Sequence, residues 1–278
     1  MKIEVVIPSV GDPSRLLWSL TQQSRPPDQI TVVSNEFYPE FCSPPTAFTG
    51  YESRIRALRF GSEDYPFGYC DVVLRRNIGI WESDADAIIF QDDDQIAPRN
   101  LVQEMERILL TENWAWGHHR YIDFEDHDPV ELLDADPSIG KSRETEPNRF
   151  HTYQSGYAGC LGVKRDFILS KGGFDMLFLG RHANEDQNLA KRMCGPMIKI
   201  WEPPFSWHPT RPVPRAQGPT NVCTGEHDWE PDVFNGVVFS RCSRCPLWKF
   251  SDRKEQLFRD EVVVPYEHRL VDVTVEAI

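Results

Sequence analysis

Two acidic clusters in this chain have the residue types for chemistry on a charged leaving group. One is Gln91-Asp92-Asp93-Asp94-Gln95, directly after the apolar run Ala87-Ile88-Ile89-Phe90; the other is Asn184-Glu185-Asp186, at the opening of a helical pattern. Carboxylates set this close repel one another, and a bound cation is the natural compensation. A hard divalent ion held by one or two carboxylates keeps its other positions for water and phosphate oxygens. It can thereby neutralise the charge that grows on a departing nucleotide diphosphate. Alternate residues leaving a strand share a side, so Asp92 is expected on the ribose or the metal and Asp94 on the metal, with Asp93 turned away. These residues point to metal-assisted transfer of a group from a nucleotide.

A second set of ligands lies further along. Cys223-x3-His227 and Cys242-x2-Cys245 form two close pairs of soft or borderline ligands, the layout of a closed tetrahedral zinc site. Four ligands leave no open position, so structural Zn²⁺ is expected to hold a small β-ribbon together, with Val237-Val238-Phe239 in one of its strands. Residues 219–278 are read as this zinc-ribbon segment and residues 1–218 as the catalytic domain. The chain has seven cysteines. Cys42, Cys70 and Cys160 lack metal-ligand spacing and are read as buried thiols of a reducing compartment.

The acidic motif needs a strand to carry it and a sheet to place it. Residues 3–7 and 30–34 are β-branched runs of buried-strand length, separated by a helix that Asp12 would cap with Pro13 in its first turn. A helix from Asp71 to Glu82 precedes the strand Ala87–Phe90, and Pro98 opens another with Leu101, Met105, Ile108 and Leu109 on one face. A small-residue strand over 156–163, a short helix near 166–170, a helix over 185–193 and a strand over 197–201 follow. Strands alternating with helices make an α/β fold with a mostly parallel sheet, in which ligands bind beyond the C-terminal strand ends. After Trp201 a series of prolines is read as an irregular crossing to the last segment. Between Asp123 and Glu146 nine acidic residues face only Lys141 and Arg143, without periodicity. This stretch is read as a long loop, either a solvated excursion or a lid over the substrate.

Several short motifs then stand in a telling order. Ile7-Pro8 closes the first strand and Ser34-Asn35-Glu36 the second. Arg76-Asn77-x-Gly79 precedes Asp92-x-Asp94, and Gly172-Gly173-Phe174-Asp175 precedes Glu185-Asp186 with Leu189 and Arg192. Over roughly residues 2–210 this order resembles the family-2 glycosyltransferases of the GT-A fold, a Rossmann-like sheet flanked by helices. The resemblance implies a nucleotide-sugar donor across the C-terminal edge of the first strands. It implies Mn²⁺ or Mg²⁺ on Asp92 and Asp94, with His208 as third ligand. Asp186 would be the base that deprotonates the acceptor hydroxyl, supported by Glu185, in an inverting hexosyl or pentosyl transfer. Pro8 and Glu36 would line the donor. Because Asn35-Glu36 stands where many relatives carry an acidic residue for the nucleobase, the base itself is left open.

Arg76 has two readings, a bidentate grip on the diphosphate or an ion pair with a carboxylate at the sheet end. Trp81, Trp114 and Trp116 are read as core or lid packing. The stretch from His227-Asp228-Trp229 to Arg241-Cys242-x2-Cys245 looks like small zinc ribbons of bacteriophage proteins. That resemblance suggests a hydroxylated DNA base as acceptor, with Arg241, Arg244 and Lys249 on phosphates; a glycan, lipid or protein hydroxyl are the other acceptors. Two competing readings are a nucleotidyltransferase using the same carboxylates, and a non-catalytic zinc-ribbon binding protein on a degenerate transferase scaffold.

The bulk properties narrow the setting. A formal net charge of −13 over 278 residues argues against a broad footprint for nucleic acid or anionic membrane. No stretch reaches the roughly 18 apolar residues of a membrane span. The opening residues read as a strand instead of a signal peptide, which leaves the cytoplasm, or the host cytoplasm for a phage protein, as the expected location.

Overall fold

A computed structural model describes residues 1–34, 54–60, 72–142, 146–178 and 185–210, and the strands at 229–234, 237–242, 248–249 and 273–277. Strands β1 (Ile3–Pro8), β2 (Gln29–Ser34), β3 (Ile55–Phe60) and β4 (Ala87–Gln91) run parallel in the spatial order β3-β2-β1-β4. Alternation along each strand feeds two cores, one on each face of the sheet. Val6, Val33, Leu58, Ile88 and Phe90 pack on one side. Val5, Ile7, Ile30, Val32 and Ile89 pack on the other.

Helices cover both faces, which is why apolar residues occupy both sides of β1 and β4. Helix α1 (Ser14–Thr21) lies on the second core through Leu16, Leu17 and Leu20. Helix α2 (Val72–Glu82) lies on the first through Val73, Leu74, Ile78 and Ile80. The first helix begins one residue later than expected, at Ser14, whose N–H donates to Asp12 Oδ1 at 2.9 Å. In α2, Gly79 allows close contact with β1: a β-carbon there would stand 2.4 Å from Val6 Cγ1. Trp81, read as packing, is instead 42% exposed on this helix.

One buried carboxylate is built into β1. Glu4, fully buried, accepts from Arg56 Nη2 at 2.9 Å, from Ser83 Oγ at 2.6 Å and from the Thr31 hydroxyl. Arg56 also donates to the Glu82 carbonyl at 2.8 Å, so the guanidinium ties β3 to the end of α2.

The sheet continues through antiparallel neighbours. Helix α3 (Leu101–Leu109) leads from β4 into β5 (Trp114–Ile122), a strand absent from the sequence reading. Trp114 and Trp116 belong to it, and Trp116 is buried. Of the stretch expected as a loop over 123–146, residues 123–142 are tied down and only partly loop. It holds α4 (Pro129–Leu132), opened by Asp128 accepting from the Val130 N–H at 2.8 Å, and β6 (Lys141–Ser142), paired with β5. Buried Leu132 and Leu133 anchor it, the Leu132 carbonyl accepts from Trp207 Nε1 at 2.7 Å, and Asp134 holds Arg99 through two nitrogens.

Beyond it come β7 (Phe150–Thr152), β8 (Cys160–Lys164), α5 (Arg165–Ser170), α6 (Glu185–Cys194) and β9 (Met197–Pro209). The order β4-β8-β5-β9-β7 completes this half, β8 antiparallel to both its neighbours. The expected strand at 156–163 is thus shorter and starts later. The expected strand at 197–201 runs on to Pro209. Its pairing with β5 jumps from Gly117–Trp201 to His118–Phe205, so Glu202, Pro203 and Pro204 form a bulge, where prolines cost no ladder hydrogen bond. Buried Cys160 matches its reading.

Strands β10 (Trp229–Phe234), β11 (Val237–Cys242) and β12 (Trp248–Lys249) form a separate antiparallel sheet, with Cys242 opposite Trp229. Strand β13 (Val273–Ala277) returns to pair antiparallel with β3 at the edge of the main sheet. Glu36, Cys42, Cys70, Cys223, His227, Cys245 and the 218/219 boundary lie outside the described residues. Among the described residues no helix is long and apolar enough to cross a membrane.

Candidate active site

The C-terminal ends of β1 and β4 carry the acidic motif. Gln91, the last residue of β4, is buried and donates through Nε2 to the Gly159 carbonyl at 3.0 Å, fixing the approach to β8. Three consecutive aspartates then take three different partners. Asp93 turns inward as expected: its Oδ2 accepts from the N–H groups of Val10 and Gly11, each at 2.7 Å, and so shapes the turn after β1. Asp92 stands beside Gly159, where a β-carbon would lie 2.2 Å from its Oδ2, and its side chain is 29% exposed. Asp94 Oδ1 lies 3.7 Å from His208 Nε2 at the end of β9.

The tautomer of His208 follows from its other nitrogen. Nδ1 is 3.0 Å from the Pro209 carbonyl, which can only accept, so Nδ1 carries the hydrogen. In the neutral ring Nε2 therefore turns a lone pair toward the Asp94 carboxylate. Two electron-rich atoms facing across 3.7 Å call for a cation or a proton between them. The 3.7 Å span lies between the roughly 3.0 Å of adjacent and the roughly 4.2 Å of opposite ligands on an octahedral ion with bonds of about 2.1 Å. A carboxylate oxygen and an imidazole nitrogen are donor types that Mn²⁺ accepts, so the pair suits such an ion in its chemistry, after a small shift of either side chain. Asp92, expected as a further ligand, is turned to Arg76. Among the described residues no group of three or more His, Cys, Asp or Glu side chains is arranged to hold a metal.

Arg76 is the hub of the site. Its side chain is 3% exposed; Nη1 donates to Asp186 Oδ1 at 2.5 Å and lies 3.5 Å from Glu185 Oε1, while Nη2 donates to Asp92 Oδ1 at 3.2 Å. The guanidinium also lies over the Phe174 ring, 5.1 Å from its centroid. Of its two readings the structure adopts the ion pair. Burial alone would depress its pKa, but Asp186, Asp92 and Glu185 hold it protonated. Burial likewise pushes the Asp186 carboxyl up to about 7, reinforced by Glu185 and Asp92 and opposed by Arg76 and by the N–H of Ala158, which donates to it. Asp186 is thus poised to exchange a proton near neutrality.

The Gly-Gly-Phe-Asp turn is clamped to the same helix. Asn77 Nδ2 donates to the Phe174 carbonyl at 2.8 Å and its Oδ1 accepts from the Phe174 N–H at 2.9 Å. Gly173, at φ +68°, takes a left-handed conformation that suits glycine, and its carbonyl accepts from Arg192 Nη2 at 2.8 Å. The motif residues Asn77, Gly79 and Arg192 therefore build the scaffold that presents Arg76 and Phe174. Pro8 closes β1 and is buried beside β2.

Sequence reasoning missed a second group. On β5, His119 and Tyr121 gather around His208, with ring centroids 5.8 Å and 5.0 Å from it, and Tyr157 lies 6.0 Å from His119. Glu202, in the bulge of β9, is held by two residues of β5, Arg120 at 2.6 and 2.5 Å and His118 at 3.3 Å. Burial alone would raise the Glu202 carboxyl; these hydrogen bonds hold it at about 2.

The large mixed sheet between helical layers, with an acidic motif beyond its parallel strand ends, is an architecture shared with solved structures of low sequence identity. Residues 1–349 of S. aureus TarS, a GT-A-like family-2 glycosyltransferase, share the fold with a TM-score of 0.50 and 12% identity, over 75% of this chain and 60% of that one. A longer structure of S. aureus TarS gives a TM-score of 0.51 and 13% identity, over 76% of this chain and 37% of that one. The chain thus spans less than two thirds of either neighbour. No family model and no curated protein sequence matches it.

Proposed function

We propose that the chain is a metal-dependent glycosyltransferase that moves a sugar from a nucleotide-sugar donor to an acceptor hydroxyl with inversion at the anomeric carbon. The observation that carries this reading is the meeting of Asp186 and Asp92 on one guanidinium, which sets a titratable base across from the acidic motif. Asp92, the most exposed of these carboxylates, faces the donor. Asp94 and His208, which face one another, would hold the ion. When bound, Mn²⁺ or Mg²⁺ neutralises the charge developing on the departing diphosphate.

Asp186 accepts the acceptor's proton as its oxygen bonds to the anomeric carbon, on the side opposite the breaking bond to diphosphate. Arg76 then stabilises the other, ionised state of Asp186, the state that must be regenerated for each turnover. The two cysteine-containing pairs near the C-terminal ribbon are proposed to hold structural Zn²⁺, apart from this chemistry.

The test is a panel of UDP-sugars and GDP-sugars with Mn²⁺, read by thermal shift and by acceptor-free hydrolysis. Stabilisation by a donor in a metal-dependent manner supports the reading. No stabilisation and no hydrolysis with any donor would overturn it.

A further inference from the structure

We propose that Gln95, the last residue of the acidic motif, is a positioning residue for the donor and holds Asp92 in the orientation that donor binding requires. The inference rests on the transferase reading and deepens it at the same site. Gln95 is fully buried, yet among the described residues neither its Nε2 nor its Oε1 has a hydrogen-bond partner. Its backbone N–H closes a turn onto the Asp92 carbonyl at 3.3 Å. The next residue, Ile96, exchanges backbone hydrogen bonds with Trp207 at 3.1 and 3.0 Å, which fixes the turn against β9. Gln95 Nε2 and Asp92 Oδ2 converge on Gly159: a β-carbon there would stand 2.9 Å from the first and 2.2 Å from the second.

A buried amide without partners destabilises the fold that contains it, whereas a methionine of similar volume would not. That cost is recovered only in a state that supplies a partner, so the amide biases the protein toward such a state. The acceptor at hand is the Asp92 carboxylate. Neighbouring groups are committed elsewhere: Gln91 takes the Gly159 carbonyl, and Asp93 takes the Val10 and Gly11 N–H groups. Asp92 has room to move. Its side chain is 29% exposed, and its 3.2 Å contact with Arg76 is longer than the 2.5 Å contact between Arg76 and Asp186. Charge-assisted hydrogen bonds are normally about 2.7–2.9 Å, so the Asp92 contact is the loose one. When the donor draws Asp92 off Arg76, a small displacement brings its carboxylate onto Gln95 Nε2, and the new hydrogen bond replaces the one released. Gln95 thus acts through Asp92 without touching the donor.

The experiment uses the full chain and measures binding of UDP and GDP with Mn²⁺ by calorimetry, beside thermal unfolding without nucleotide. Gln95→Met removes the amide at nearly constant volume. Its Tm without nucleotide should equal or exceed that of wild type. The Kd of the nucleotide that wild type binds should nevertheless rise about tenfold, the scale of one hydrogen bond to a charged group. A purely structural glutamine would not weaken binding while leaving the free protein as stable or more so. Gln95→Leu serves if Gln95→Met does not fold. An unchanged Kd, a Tm several degrees below wild type without nucleotide, or failure of both variants to fold overturns the role. A wild type that binds neither nucleotide with Mn²⁺ overturns the transferase reading itself, and that failure is read before any variant is made.

Discussion

Arg76 and Asp186 lie 2.5 Å apart, and the same guanidinium reaches Asp92 at 3.2 Å. One cation therefore sets the charge state of the proposed base and the orientation of the donor-facing carboxylate together.

Asp186→Asn keeps the shape and hydrogen-bonding capacity of the side chain but cannot take a proton. Donor binding by calorimetry should persist, and transfer should fall by about 10²–10⁴-fold. In the wild type, kcat/KM should rise with pH through about 7, because Asp186 works as the ionised form. Turnover of the asparagine variant within a few-fold of wild type would remove Asp186 from the role.

Arg76→Met leaves Glu185, Asp186 and the partly exposed Asp92 without their shared cation, a loss of about 3–5 kcal/mol in denaturant unfolding at neutral pH. Arg76 opposes the upward push on Asp186. In a variant that still folds, the rising limb of the pH profile should therefore move to higher pH. A limb that stays in place or moves down would show that Arg76 does not govern Asp186.

Asp94→Ala should abolish the Mn²⁺-dependent part of nucleoside diphosphate binding while the fold is retained, since the carboxylate sits at a strand end facing His208. Isothermal titration with and without Mn²⁺ separates the two parts. Equal metal dependence in variant and wild type would take Asp94 out of the metal site.

Glu202 is held at about 2 against the usual 4.5 by Arg120 and His118. Its contribution to stability is present above about 4.5 and lost as pH falls through about 2. Glu202→Gln should thus cost about 1–3 kcal/mol at pH 7, with the difference from wild type narrowing as the pH is lowered from 5. A gap that does not change with pH would show that packing of the bulge, and not charge, is what Glu202 supplies.

Purified protein should contain about one equivalent of zinc, and Cys242→Ser should release it, because a closed four-ligand site couples metal binding to local folding. Metal analysis checks the first point and protease sensitivity of residues 219–250 the second. Absence of zinc would remove the ribbon site.

How much of this was legible follows physical lines. Strands β1, β2 and β4 are buried on both faces, so their apolar runs announced them. Strand β3 was hidden by Arg56 and Arg59, the first of which is bound to buried Glu4. Strand β5 was hidden by His118, His119 and Arg120, polar residues whose partners on β9 lie far along the chain. The bulge placed prolines inside β9 and made a continuous strand look like its end. In the site, the inward turn of Asp93 and the closeness of Asp94 to His208 could be anticipated from spacing and resemblance. The three-way hold on Arg76 and the ring cluster exist only once β5, β8 and β9 are assembled, and no local pattern encodes them.

The contact between Asp92 and Gly159 carries a consequence for how such a chain can drift. The space a side chain at 159 would fill is already taken by the Asp92 carboxylate and by Gln95. Positions 92 and 159 therefore cannot vary independently while this backbone is kept. An ancestor or descendant that gains a side chain at 159 must displace the aspartate, so the acidic motif can be extinguished by a mutation well outside it. Descendants that lose the chemistry by this route would still carry all three aspartates, and in their sequences the missing glycine would be the mark of the loss.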